Sequence, residues 1–146
     1  MTNQARRGFF LVVLFLTSFL SQWVYAQGKI EVASFNRMET DITARVTAPK
    51  RDQNGEVCAL IVTTVKDLMF EPDALGITAR ENKPGEIWLY VPRGARRISI
   101  MHDKYGVLRN YFYPDIIDKS TVYEMEVRVN DGTSHEPVDT NTQLLV

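Results

Sequence analysis

Lys83-Pro84-Gly85-Glu86-Ile87-Trp88-Leu89-Tyr90-Val91-Pro92-Arg93-Gly94 is a short β-prone segment held between two turns. Ile87, Leu89 and Val91 alternate with Trp88 and Tyr90, so in an extended chain both faces of the segment are apolar. Such a strand belongs inside a sheet, packed on both sides. Pro84-Gly85 and Pro92 to Gly94 are turn formers, because proline presets one dihedral and glycine supplies positive φ. They lie too close together for a helix of ordinary length.

Working outward, the rest of the chain has the same character. Tyr123, Met125, Val127 and Val129 alternate with Glu124, Glu126 and Arg128, the period of a strand with one face in the core and one in water. Val57 to Val65 is β-branched and continuously apolar from Cys58 to Val62, which predicts a second central strand. Weaker strands are expected over 30–35, 43–48, 77–82, 97–102 and 108–112. Asn54-Gly55 reads as a type I′ hairpin turn joining 43–48 to 57–65. Tyr105-Gly106 separates the next pair, and Pro114 to Lys119 has room for a single helical turn. About eight short strands with turns at regular spacing predict an all-β fold, a single antiparallel β-sandwich of the immunoglobulin or transthyretin-like kind. A small barrel is the alternative.

The N-terminus reads as an export signal. Arg6 and Arg7 precede an apolar run from Gly8 to Leu20, and Val24-Tyr25-Ala26 forms a small-x-small cleavage site before Gln27. The apolar run is shorter than the roughly 20 residues needed to cross a membrane as a helix. We therefore expect a signal peptide over 1–26, a sandwich domain over 27–129, and a polar C-terminal linker or truncated start of a following domain over 130–146. The expected location is periplasmic, cell-surface or secreted, with no transmembrane segment after cleavage. Cleavage lowers Lys+Arg from 17 to 15 against 18 acidic residues, a net charge of −3. That balance argues against nucleic acid as a partner. Cys58 is the only cysteine, so no intramolecular disulfide can form and stability must come from the core.

The segment 83–94, followed by Ile98-Ser99-Ile100 and Tyr105-Gly106-Val107-Leu108-Arg109, resembles an N-terminal module of exported bacterial proteins that commonly precedes PEGA-type β-domains. The stretch from Asp52 to Ile61 and Tyr123-Glu124-Met125 are similar to the same family, so the resemblance spans about residues 29 to 129. It implies an exported β-rich binding or structural module and brings no catalytic motif. The chain departs from that pattern by ending at Gln143-Leu144-Leu145-Val146, where relatives begin another domain.

Candidate chemistry is sparse. His102 and His135 have no Cys or His partner at metal-ligand spacing, so no metal or other cofactor is expected. Asp52 to Glu56 carries its glycine at the wrong offset for a calcium loop and reads as a turn. Cys58 lies within an apolar run and reads as a small buried hydrophobe. Between Arg80 and Arg109 seven basic residues face three acidic ones. If turns cluster at one end of the sandwich, Arg93, Arg96 and Lys104 form a cationic rim beside Trp88 and Tyr105, fit for an anionic glycan or a cell-envelope protein. In the plainer reading these are solvated turn residues and the aromatics belong to the core. The function expected is an exported, non-catalytic module that binds or scaffolds an envelope partner. The alternative is a small periplasmic hydrolase or redox enzyme that uses Cys58 or His102.

Overall fold

The computed structural model describes residues 29–131, so the expected leader over 1–26 and the tail from residue 132 onward lie outside the described residues. The strands are β1 (Lys29–Met38), β2 (Ala59–Thr63), β3 (Met69–Pro72), β4 (Ala79–Lys83), β5 (Glu86–Val91), β6 (Arg97–His102), β7 (Gly106–Phe112) and β8 (Val122–Asn130). They form two sheets, β1-β8-β2-β5-β4 and β3-β6-β7, which pack face to face as a β-sandwich. The described residues form no closed barrel. No helix among the described residues is long and apolar enough to cross a membrane.

Alternation places the core. Ile87, Leu89 and Val91 of β5, Ala59 and Ile61 of β2, and Tyr123, Met125 and Val127 of β8 face the second sheet, where Ile98 and Ile100 of β6 meet them. Phe35 of β1 stacks on Tyr123 at 5.2 Å between ring centres and lies equally close to Tyr113. The opposite face of the same strands carries a smaller buried cluster of Ala44, Cys58, Leu60, Tyr90 and Val122. β5 therefore packs on both sides and runs between β2 and β4, as its two apolar faces require. The Lys83–Glu86 pair closes a two-residue hairpin in which Pro84 sets the bend and Gly85, at φ +79°, completes it.

Four expectations are corrected. The sandwich is not wholly antiparallel: β2 runs parallel to β8, pairing Leu60 with Val122 and Val62 with Glu124. Residues 43–48 do not form a strand. Thr43–Thr47 makes a π-helical turn closed by the Ala48 N–H donating to the Thr43 carbonyl at 2.9 Å. Asp41 Oδ1 accepts from the Thr43 N–H at 2.8 Å, and Ala44 is fully buried over Leu60 and Tyr90. Covering that apolar face outweighs the β-branched composition of the segment. Asn54-Gly55 turns the chain but joins no strand pair, leaving only an Arg51–Val57 bridge. Asp52 Oδ1 accepts from both the Asn54 and Glu56 N–H groups, and only Gly55 has positive φ, so the turn is built on Asp52 and is not type I′. Residues 114–119 form bends and a turn without a helical turn. β3, with Pro72 on an edge, gave no sequence signal strong enough to predict it.

Candidate functional site

The outer face of the five-stranded sheet is where the chain exposes an organised surface. The parallel β2–β8 pair and the antiparallel β2–β5 pair bring Trp88, Val62 and Glu124 side by side in one row. The π-helical turn covers the half of this face around Leu60 and Tyr90 through Ala44. Beside it lies an open groove of about 420 Å³, lined by Met38, Val62 and Trp88 together with Asp41, Glu86, Glu124 and Glu126. All four charged residues of that lining are acidic.

Trp88 is partly buried and held at its edge, its Nε1–H donating to Glu86 Oε2 at 2.7 Å. The Lys83 ammonium lies 4.8 Å from the centre of the Trp88 ring, inside cation–π range. Lys83 also meets Glu81 at 2.8 Å, and Lys50 meets the same carboxylate at 3.0 Å. Hydrogen bonds from Lys83 and Lys50 hold the Glu81 carboxyl below its ordinary range. Arg128 bonds Glu126 Oε1 at 2.8 and 3.0 Å, while the Ser34 hydroxyl donates to the other oxygen. Glu124 is exposed and has no ion pair or hydrogen bond among the described residues.

The residues expected to form a cationic rim fall in two places, Arg93 and Arg96 in the connection between β5 and β6 and Lys104 in the hairpin between β6 and β7. Arg93 lies 3.6 Å from Glu56, which Lys119 also approaches at 3.3 Å. Arg96 donates its backbone N–H to Asp73 Oδ2 at 2.7 Å. Lys104 sits 5.1 Å from the Tyr105 ring centre in the β6–β7 hairpin, where Tyr105 packs against His102 at 4.6 Å. Arg96 and Lys104 flank opposite ends of β6, so about 20 Å of strand separates them. Trp88 faces outward from the other sheet, among carboxylates.

The two residues of the enzymatic alternative are also apart. Cys58 is buried at the start of β2 and its thiol donates to the Thr78 hydroxyl at 3.3 Å. Burial pushes the Cys58 thiol up. His102 closes β6 in the second sheet, and its Nδ1 accepts from the Lys104 backbone N–H at 3.0 Å. Among the described residues no three His, Cys, Asp or Glu side chains gather as a metal site.

Glu86, Glu124 and Glu126 were not singled out from the sequence. Alternation places each on the outward face of its strand, but only the parallel β2–β8 pairing sets two strands' carboxylates around one tryptophan. In comparisons with known proteins the chain matches no family model, no curated protein and no solved structure.

Proposed function

We propose that this chain is an exported, non-catalytic β-sandwich module that binds a protein partner in the cell envelope, with the outer face of the five-stranded sheet as its contact surface. The observation that carries this reading is the groove beside Trp88, where a partly buried aromatic ring, apolar side chains and free carboxylate oxygens share one concave surface. Interfaces draw their affinity from such anchored aromatic residues inside a polar rim. An anionic glycan fits this surface poorly, because every charged side chain lining it is acidic. The export pattern of residues 1–26 and the resemblance to modules that precede PEGA-type domains agree with an envelope location. Burial of Cys58, which raises its thiol, weighs against a hydrolase or redox enzyme that uses it.

Site-specific photo-crosslinking in the producing cell tests the assignment. A crosslinking residue at position 124 should give a discrete protein adduct in the envelope fraction, whereas one at Arg109 on the second sheet should not. Equal labelling from both positions, or adducts from neither, overturns the assignment of this face.

A further inference from the structure

We propose that the Trp88 groove docks a cationic segment of its protein partner, one that presents lysine or arginine next to an apolar side chain. This rests on the binding reading above and adds the partner's chemistry to it. The groove combines two demands. Met38, Val62 and the Trp88 ring offer apolar contact, and Asp41, Glu86 and Glu124 surround it with negative charge not paired to any base among the described residues. An acidic peptide or a sugar acid would meet uncompensated like charge along this lining. A bound metal ion is also disfavoured, because the carboxylates are spread over β5, β8 and the 41–43 corner and do not converge as ligands.

The indole supplies an independent pointer to a cation. Its face already attracts the Lys83 ammonium at 4.8 Å, while the hydrogen bond to Glu86 fixes the ring at the groove wall. With that contact taken by Lys83, a guanidinium or ammonium from a partner would engage the Glu86 and Glu124 carboxylates, its alkyl stem lying along Val62 and Met38.

From Gln27 onward Trp88 is the only tryptophan, so its emission reports the groove directly. The exported chain is titrated with a short peptide of alternating lysine and valine, and with its glutamate–valine counterpart. The lysine peptide should give a saturable change in Trp88 emission that weakens about tenfold or more between about 50 and about 500 mM salt. Glu124→Gln and Glu86→Gln should each weaken it about three- to fivefold with unchanged thermal midpoint. Equal affinity for the two peptides, or unchanged affinity in both glutamine variants, overturns the cationic assignment. If Glu86→Gln leaves both the peptide affinity and the crosslink from position 124 intact, the face is a docking surface for a partner of other chemistry. Absence of any crosslink from position 124 in the protein that carries no other change removes the underlying reading instead.

Discussion

The Tyr90 hydroxyl donates to the Ala48 carbonyl at 2.9 Å, tying the outward face of β5 to the end of the turn that covers it. Tyr90 is fully buried, and this bond spans 42 residues of chain. Tyr90→Phe keeps the ring in place and removes only that tie. It should cost about 1 kcal/mol, the usual net worth of one such hydrogen bond. Amide exchange over 43–48 should quicken more than exchange in β5. A uniform change across both segments would mean that the bond does not hold the turn locally.

Leu89 and Trp88 are neighbours in β5 with different surroundings. Leu89 is fully buried between the sheets, so Leu89→Ala should destabilise by about 2 to 5 kcal/mol, the range for large-to-small changes in a packed core. Trp88 is only partly buried at the edge of the smaller cluster, and Trp88→Ala should cost clearly less. Denaturant midpoints of the two variants give the comparison. A Trp88→Ala loss equal to that of Leu89→Ala would place the indole in the core and take it out of the groove.

Most of the fold was legible because its strands announce themselves by alternation. Tyr123 to Val129 and Glu86 to Val91 emerge with the inward and outward faces their sequences require. Residues 43–48 misled because local β-branching says nothing about an apolar sheet face elsewhere that needs a cover. The groove was hidden for a similar reason. Glu86 and Glu124 lie 38 positions apart and line one groove from either side of β2, a relation set by a parallel pairing that no local pattern encodes. Turn residues such as Arg93 and Lys104 look adjacent on a list of loops, but β6 holds two of the three basic side chains at opposite ends of the sandwich.

Cys58 should be silent in the folded protein. Its sulfur is buried and bonded to Thr78, and burial keeps the thiol protonated. A thiol-reactive dye should label it only at denaturant concentrations that unfold the chain. Fast labelling in buffer would show an accessible, activated thiol and revive the enzymatic alternative.

Thr63 carries the one buried side-chain polar atom that lacks a hydrogen-bond partner among the described residues. Its residue is 1 % exposed and pairs with Ile87 on the core side of β2. Thr63→Val replaces the hydroxyl with a methyl of nearly the same shape and removes that unmet demand. Stability should rise by about 1 kcal/mol. A loss of that size would show that the hydroxyl is hydrogen-bonded after all, for instance to water.

Alkaline pH should weaken the fold, and the tyrosines set the window. Burial pushes the phenols of Tyr90, Tyr111 and Tyr113 above the ordinary value of 10.0. Tyr113 is displaced furthest, by burial first and then by the nearby charges of Asp73 and Tyr111. The Cys58 thiol is likewise raised above 9.0. Each group therefore holds its proton more tightly when folded than when unfolded. Its contribution is complete below the unfolded value and is lost as pH climbs toward the folded one. The denaturation midpoint should stay level from about pH 6 to about pH 8 and fall steadily above about pH 9. Tyr113→Phe removes the group with the largest displacement while keeping the ring against Phe35, so the alkaline slope should become shallower than in the unaltered protein. A midpoint that stays constant to about pH 11, or an identical slope in Tyr113→Phe, would mean that these phenols are not buried as the packing around Phe35 places them.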